Sequence, residues 1–257
     1  ILIATGLALA IVFAFSHARR FGIDSDRMVD VILIGTVCAV IGGRAFYVAT
    51  APFEYASFAE MLDIRLGGVA IYGAVIAAFL SGYFACRWRK VPILPMFDLA
   101  GMGFLLGQGI GRWGNFMNCE AFGGYTDSLF AMRIKRSIVN ESMISQELLE
   151  NLITENGIEY IQVHPTFLYE SMWNLGLLLF MLWYRKRKKF TGEMLLIYLT
   201  GYGIGRAWIE GLRTDQLLIP GTELAVSQVL SMVIAVISLA VLLFHRRKGP
   251  GESEETV

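Results

Sequence analysis

Long apolar stretches alternate with polar connections along the whole chain. Seven stretches approach or exceed the length of about 20 residues that a helix needs to cross a hydrocarbon core of about 30 Å. They comprise residues 1–16, 28–50, 69–86, 93–118, 164–184, 193–212 and 224–244. The pattern therefore predicts an all-α polytopic membrane protein, with seven transmembrane helices in a single membrane domain over residues 1–257.

Two of the connections are long enough to form structure of their own. Residues 51–68 mix aromatic and acidic side chains at amphipathic spacing, which predicts an interfacial arm segment. Residues 119–163 are too many for a turn and contain SQELLENLI, which is typical of a short helix. We expect this segment to fold as a small extracytoplasmic head.

Composition agrees with the pattern. Hydrophobic residues make up 55% of the chain and charged residues only 17%, with a mean hydropathy of +0.55, more apolar than a soluble domain usually is. The chain begins at Ile1, already inside an apolar stretch and without the marks of a secretory signal peptide, so we expect a span there. The three cysteines show no paired spacing, which favours structural thiols over disulfides or metal ligands.

Basic residues are sorted between the two faces of the predicted membrane domain. Fourteen of the 22 lysines and arginines fall in alternate connections, residues 17–27, 87–90, 185–189 and 245–248. Cytoplasmic connections carry such an excess, so these four are predicted to be cytoplasmic. The N-terminus then lies outside and the C-terminus lies in the cytoplasm.

Ionisable residues inside the apolar stretches are candidates for function because they cost free energy in a bilayer unless they are paired or hydrated. Asp30 and Asp98 fall near the cytoplasmic ends, where we expect structural roles. The others fall toward the outer ends or, for Arg206, somewhat deeper; they are Arg44, Arg112, Glu120, Glu170, Arg206, Glu210 and Arg213. This distribution predicts a cationic, partly hydrated cavity that opens to the outer leaflet and suits a phosphate.

The fourth stretch ends in the polar segment GIGRWGNFMNCEAFGG, residues 109–124. Gln108, Arg112 and Asn115 share one helix face at spacings of four and three residues. A glycine repeat on another face allows close helix packing, so a packing face with a snorkelling arginine is the structural alternative.

The sixth stretch contains YGIGRAWIEGLR, which places Tyr202, Arg206 and Glu210 nearly on one stripe with Arg213 a turn further. An Arg and a Glu one turn apart can neutralise each other, so a purely structural ion pair is the alternative here.

The fifth stretch opens with HPTFLYES, with Pro165 in the first helical turn, where proline is tolerated. This start places His164 at the outer boundary of the membrane and Tyr169 and Glu170 just within it. All three side chains are therefore predicted to reach the cavity.

Several of these segments resemble those of one protein family. GRWGNFMNCEAFG resembles the signature of the prolipoprotein diacylglyceryl transferases, and IGGRAFYV, GGVAIYG, HPTFLYE and YGIGRAWIEGLR resemble further family segments in the same order. The similarity runs over nearly the whole chain.

The resemblance implies a reaction. Members of the family move the diacylglyceryl group of phosphatidylglycerol to the thiol of the lipobox cysteine at a prolipoprotein signal peptide, forming a thioether and releasing glycerol 1-phosphate. It implies no metal, no organic cofactor and no nucleic acid partner. It places the protein in the bacterial plasma membrane, with membrane lipid around it and the active site toward the outer leaflet.

The resemblance also assigns site residues. The catalytic candidates are Arg112, Arg206, Glu210 and Tyr72. The candidates for binding phosphatidylglycerol are Arg112, Asn115, Glu120, Gly123, Arg44, Tyr202, Asn118, Arg213, His164 and Glu170. Fixed guanidinium groups can stabilise charge on a leaving phosphate, so we expect Arg112 and Arg206 to form a phosphate clamp.

Tyr72 stands where many members of the family have a histidine that has been regarded as the proton acceptor. A tyrosine with a pKa near 10 is a poor base at neutral pH. Either Tyr72 only positions substrate, or the cationic cavity itself activates the thiol, since nearby positive charge lowers a cysteine pKa. We favour the second.

Two other classes fit parts of the sequence. An anion-selective transporter would use arginines in a cavity, but it needs a pathway through both leaflets, whereas the charges here crowd toward one side. Another lipid-head-group transferase, of the metal-dependent kind, needs a cluster of aspartates that these stretches lack.

Overall fold

The computed structural model describes residues 1–51, 55, 57–64, 67–222 and 224–248. The chain divides into two compact units, which are described separately. One unit comprises Ile1–Ala14 with Asp98–Val257, and the other comprises Phe15–Phe97.

Long helices account for most of the described residues. They are α1 (Leu2–Ala18), α2 (Ser25–Thr50), α4 (Ile71–Arg89), α5 (Ile93–Met117), α7 (Thr166–Tyr184), α8 (Glu193–Glu210) and α9 (Val226–Lys248). A short helix, α3 (Phe58–Leu62), precedes α4, and another, α6 (Gln146–Glu150), precedes α7.

Five helical segments in the described part of the chain are long and apolar enough to cross a membrane. They are Leu2–Phe21, Ser25–Thr50, Ile71–Arg89, Ile93–Met117 and Val226–Arg247. This confirms a mostly helical chain of the polytopic membrane class. Helices α7 and α8 are not among these five, because buried polar residues such as Glu170 and Glu193 make them less apolar. The count of seven spans therefore stays a prediction.

In the unit Phe15–Phe97, glycines let α2 and α4 pack closely. A Cβ atom at Gly42 would lie 2.2 Å from the Ala77 Cβ, and one at Gly73 would lie 2.3 Å from the Phe46 Cβ. Asp30, near the start of α2, forms an ion pair with Arg89 at the end of α4. The charge of Asp30 thus has the structural role expected for it.

The predicted arm is described only in part. Residues 52–54, 56, 65 and 66 of the 51–68 segment lie outside the described residues. Helix α3 begins after Ser57, whose hydroxyl accepts a hydrogen bond from the Glu60 amide and so caps the helix.

In the other unit, α8 packs closely on its neighbours through glycines. A Cβ at Gly205 would lie 2.2 Å from the Trp173 Nε1 of α7, and a Cβ at Gly203 would lie 2.7 Å from the Ser231 carbonyl oxygen of α9. Helix α5 approaches the same helix at Gly101, whose Cβ would lie 3.1 Å from the Tyr198 Cβ. Substitution of these glycines would push the helices apart.

Two fully buried carboxylates hold the beginning of α8, and we call them the capping cluster. Asp98 accepts hydrogen bonds from the amides of Gly192 at 3.0 Å and Leu195 at 2.9 Å, which satisfy donors at the N-terminus of α8. Glu193 accepts from the Tyr184 hydroxyl at 2.8 Å and pairs with the Arg246 Nε at 2.7 Å. Asp98 therefore has the structural role that its position predicted.

The prediction of an all-α chain is wrong for residues 119–163. This segment contains a three-stranded antiparallel sheet in the order β1-β3-β2, made by β1 (Met132–Lys135), β2 (Ile153–Glu155) and β3 (Ile158–Val163). Asn156 and Gly157, both with positive φ, form the two-residue turn between β2 and β3, as an Asn-Gly pair favours. A small core fills the segment with Phe122, Ile134, Val139, Leu148, Ile161 and Val163.

Candidate functional site

Three helices bring an arginine pair together around one buried carboxylate. Arg112, near the end of α5, places its Nη2 2.7 Å from the Glu170 Oε1 of α7. Arg206 of α8 places its Nη1 3.2 Å from the Glu170 Oε2. Glu170 is 3% exposed, so one nearly buried carboxylate fixes both guanidiniums.

The ion pairs continue beyond the end of α8. The Arg206 Nη2 lies 2.5 Å from the Glu210 Oε2, and the Arg213 Nη1 lies 3.7 Å from the same oxygen. Arg213 also forms a bidentate pair with Asp215, with Nε–Oδ1 and Nη2–Oδ2 distances of 2.8 and 2.7 Å. We call these six residues the arginine network: Arg112, Glu170, Arg206, Glu210, Arg213 and Asp215.

The expectation of a cationic cavity needs correction. The arginine network contains three guanidiniums and three carboxylates, so its formal charges balance. The physical reason is that unpaired charges are too costly when side chains are this far buried. Arg112 is the most open of its arginines, with 21% of its side chain exposed.

Asp215 and Arg213 lie after the end of α8 and perturb each other. Burial opposes ionisation of Asp215, but the hydrogen bond and the charge of Arg213 outweigh burial and lower the Asp215 pKa below its usual value. Burial likewise disfavours the charged form of Arg213, and the contacts with Asp215 outweigh it, which raises the Arg213 pKa.

Glu120, which follows α5, is linked to Arg112 through Asn115 near the end of that helix. The amides of Asn115 and Asn118 donate to the Glu120 Oε1 at 3.1 and 3.0 Å. Arg112 makes a long contact of 3.4 Å from its Nη1 to the Asn115 Oδ1. Glu120 thus orients Asn115, which in turn faces Arg112.

Gly123 lies where three chain segments approach one another closely. Its amide donates to the His164 carbonyl at 3.0 Å, and it pairs with Arg213 in an isolated β-bridge. A Cβ there would lie 2.7 Å from the His164 Cβ and 2.8 Å from the Leu212 carbonyl oxygen. This packing gives Gly123 a structural reason to be glycine. The His164 ring lies 3.3 Å from the Tyr169 hydroxyl through its Nδ1.

Tyr202 lies in α8, one turn before Arg206 of the arginine network. Its ring stacks on Tyr198 with centroids 5.7 Å apart. Tyr202 therefore has the position that its spacing from Arg206 predicted.

Arg44 and Tyr72 belong to the unit Phe15–Phe97. Arg44 is buried and donates to four backbone carbonyl oxygens, those of Met61 at 2.7 Å, Glu60 at 2.9 Å, Gly67 at 2.9 Å and Gly68 at 3.0 Å. A guanidinium has five N–H donors, so this set nearly saturates it. The geometry favours a structural role for Arg44, holding the residues around α3 against α2, over the predicted contact with substrate. Tyr72 is half-buried at the first turn of α4.

Sequence reasoning missed several partners of the arginine network. Asp215 carries a signal, because it follows Arg213 by only two residues. Ser227, whose hydroxyl donates to the Glu210 Oε1 at 2.5 Å, carries none, since an isolated serine at the start of a helix is ordinary. Within the described ranges, no group of three His, Cys, Asp or Glu side chains is arranged to hold a metal ion.

Comparison with known proteins gives a consistent result. The family model of the prolipoprotein diacylglyceryl transferases matches residues 1–244. A phosphatidylglycerol–prolipoprotein diacylglyceryl transferase of Clostridium perfringens is 35% identical over 251 residues, covering 96% of this chain and 90% of the relative.

Two further relatives carry the same name. The protein of Bacillus cereus is 36% identical over 256 residues, covering 98% of this chain and 88% of the relative. That of Geobacillus kaustophilus is 36% identical over 256 residues, covering 97% and 88%. This chain belongs to the prolipoprotein diacylglyceryl transferase family.

Proposed function

We propose that this protein transfers the diacylglyceryl group from phosphatidylglycerol to a prolipoprotein, the first step of lipoprotein maturation. Family membership supports the reaction. The single structural observation that carries the proposal is the pairing of Arg112 and Arg206 around Glu170, with contacts of 2.7 and 3.2 Å. Two guanidiniums held together by one carboxylate form a receptor for a single phosphate group.

The reaction exchanges one bond to carbon for another. The sulfur of the lipobox cysteine attacks the glyceryl carbon that bears the phosphate, and a C–S bond forms as the C–O bond to phosphate breaks. The thiol proton ends on the released phosphate, and the products are the thioether and glycerol 1-phosphate. The leaving phosphate gains negative charge as the bond breaks, so fixed positive groups beside it lower the barrier.

Arg112 and Arg206 serve as the phosphate clamp. Among the described residues, Arg112 pairs with Glu170 through Nη2 and contacts Asn115 at 3.4 Å through Nη1, so it retains donor capacity for a phosphate oxygen. Glu170 and Glu210 hold the Arg206 side chain from two sides and fix its orientation. Asn115, steadied by Glu120, adds a hydrogen bond to the headgroup.

Arg112, the most exposed guanidinium of the otherwise charge-balanced arginine network, lowers the pKa of the thiol as the peptide binds beside it. The carboxylates of the arginine network oppose this lowering of the thiol pKa. The closer they lie to the bound thiol, the smaller the lowering is. Tyr72 positions substrate in this scheme and takes no proton.

The proposal includes a placement in the membrane. The chain crosses the bacterial plasma membrane seven times, with its N-terminus outside and its C-terminus in the cytoplasm. The alternation of basic connections supports this orientation. The arginine network then lies toward the outer leaflet, and residues 119–163 form an extracytoplasmic head beside it.

The test combines purified protein, phosphatidylglycerol and a lipobox peptide, with the mass of the peptide as readout. We expect the cysteine peptide to gain one diacylglyceryl group and a matched peptide with serine in place of cysteine to gain none. No mass gain on the cysteine peptide, or equal gain on both peptides, contradicts the proposal.

A further inference from the structure

A second set of polar side chains lies one or two helical turns from the arginine pair and Glu170, on the same three helices. We call it the inner polar layer: Gln108, Asn174, Tyr198 and Tyr202. Gln108 donates from its Nε2 to the Tyr198 hydroxyl at 3.2 Å, which joins α5 to α8. The stacked rings of Tyr198 and Tyr202 continue along α8 toward Arg206.

Asn174 of α7 is completely buried. Ser171 and Trp173 flank Asn174 on the surface of α7, and their contacts fix the direction in which its side chain points. The Ser171 hydroxyl donates to the Gly109 carbonyl of α5 at 2.8 Å, and the Trp173 indole donates to the Gly201 carbonyl of α8 at 2.9 Å. Asn174 lies one turn along α7 from Glu170, which itself bridges α5 and α8. Its side chain therefore faces the space between α5 and α8.

The amide of Asn174 is unsatisfied. Among the residues that the structure describes, neither its Nδ2 nor its Oδ1 has a hydrogen-bond partner, and the Gln108 Oε1 has none either. A buried amide without partners loses its hydrogen bonds to water on folding and gains none in return, which is destabilising. A packing role is served better by leucine, so an unsatisfied amide here indicates a bound polar group.

The depth of the layer indicates which group that is. Gln108, Asn174 and Tyr202 each lie four residues from a member of the arginine pair or from Glu170, a rise of about 6 Å along their helices. In a glycerophospholipid the acyl ester groups follow the phosphate by a few covalent bonds, a comparable reach. A phosphate at Arg112 and Arg206 therefore leaves the ester carbonyls at the level of the inner polar layer.

We propose that the inner polar layer binds an acyl ester carbonyl of the diacylglyceryl group, with the Asn174 amide as its principal donor. An ester carbonyl only accepts hydrogen bonds, and Asn174 offers two N–H donors that lack partners among the described residues. Asn174 is then a specificity-determining residue that recognises the group to be transferred. This inference rests on the proposed function, since it requires phosphatidylglycerol at the arginine pair.

The experiment compares two lipids that differ only in the carbonyl. Transfer to the lipobox peptide is measured with diacyl phosphatidylglycerol and with its dialkyl ether analogue, which lacks ester carbonyls. For the unaltered protein we expect kcat/KM to be about tenfold higher with the diester, as for one hydrogen bond to a buried donor. In Asn174→Leu we expect the diester value to fall to the diether value, while the diether value stays unchanged.

Thr200→Val is the matched control. Thr200 of α8 resembles Asn174 in having a buried polar atom, its Oγ1, with no partner among the described residues. It differs in position, because it lies one turn before Gly203, which packs on α9. This variant should keep the wild-type preference for the diester. The ratio of the two lipids is measured on the same sample, so a lower yield of folded Asn174→Leu protein does not affect it.

Two results overturn the proposal while leaving the function intact. One is equal use of diester and diether by the unaltered protein. The other is a wild-type ratio in Asn174→Leu, which would mean that the amide binds a structural water. If neither lipid is transferred to the peptide, the proposed function is overturned together with this inference.

Discussion

The arginine network and the capping cluster both include charged residues of α5 and α8, yet their carboxylates are satisfied in different ways. In the capping cluster, Asp98 and Glu193 accept hydrogen bonds from backbone amides, a tyrosine hydroxyl and an arginine at distances up to 3.0 Å. In the arginine network, Glu170 is shared by two arginines at 2.7 and 3.2 Å, and Arg112 reaches Asn115 only at 3.4 Å.

The difference separates structural charge from functional charge. Backbone donors at a helix terminus cannot move to a ligand, so the capping cluster stabilises one arrangement. Guanidiniums that share a carboxylate can turn donors toward an arriving phosphate, as the proposed function requires. Changes in the network should therefore alter turnover, and changes in the cluster should alter stability.

The largest effect is expected for Arg112→Ala. Removing one of the two fixed guanidiniums should lower kcat/KM by on the order of 10²–10³-fold, because the charge on the leaving phosphate loses a partner. The measurement is transfer of diacylglyceryl mass to the lipobox peptide at several lipid concentrations.

Tyr72→Phe is the companion variant, since it removes a hydroxyl and keeps the ring. We expect measurable activity to remain, because the scheme gives Tyr72 no proton to accept. A loss in Tyr72→Phe equal to that in Arg112→Ala would make the hydroxyl essential and would contradict activation of the thiol by the clamp.

Glu170→Gln and Asp98→Asn apply the same chemical change to the two regions. We expect Glu170→Gln to lower kcat/KM by about 10–100-fold, since both arginines lose the charge that orients them. Asp98→Asn should lower the free energy of unfolding by about 1–2 kcal/mol and leave turnover per folded molecule nearly unchanged. Activity and thermal unfolding in detergent are measured on both, and the reverse pattern would remove the distinction.

Gly123→Ala should have a smaller effect, about tenfold in kcat/KM, with a destabilisation of about 1–3 kcal/mol from overpacking. The added Cβ would lie 2.7 Å from the His164 Cβ and displace the loop that carries Glu120, whose carboxylate accepts a hydrogen bond from Asn115. Gly124→Ala is the control, because its nearest contact would be the Glu147 Oε2 at 3.9 Å. Equal behaviour of the two variants would show that close packing at Gly123 is unimportant.

The smallest effect concerns the pH dependence of stability. The Asp215 pKa is lowered in the folded state, so its contribution is fully present above its unfolded pKa of about 3.9 and is lost as pH falls through the lower folded value. Asp215→Asn should therefore unfold at a lower temperature than the unaltered protein at pH 6. The gap should narrow below about pH 4, and a gap that widens toward acid would contradict the ion pair with Arg213.

Sequence reasoning located the helices and the arginine pair because apolar length and helical spacing are local properties. Arg206 and Glu210, four residues apart, form the ion pair that was weighed as the structural alternative. Their link to Arg112 through Glu170 joins three helices, and helical spacing within one segment cannot measure distances between helices.

Other features were missed for identifiable reasons. The Asn156-Gly157 hairpin has a strong local signal, an Asn-Gly pair, that is independent of the apolar pattern of the spans. The saturation of Arg44 by backbone carbonyls has no such signal. Every residue has a backbone carbonyl, so the sequence does not show which of them accept hydrogen bonds. The balanced charge of the arginine network depends on Asp215, which lies after the end of the predicted span.

The most direct test of the account compares one arginine from each region. Arg206→Ala removes a guanidinium from Glu170 and Glu210, and Arg246→Ala removes one from the buried Glu193. We predict that kcat/KM for transfer from phosphatidylglycerol, per folded molecule, falls by about 100-fold or more in Arg206→Ala and stays within a few fold of wild type in Arg246→Ala. Equal losses in the two variants would contradict the assignment of the arginine pair as the phosphate clamp.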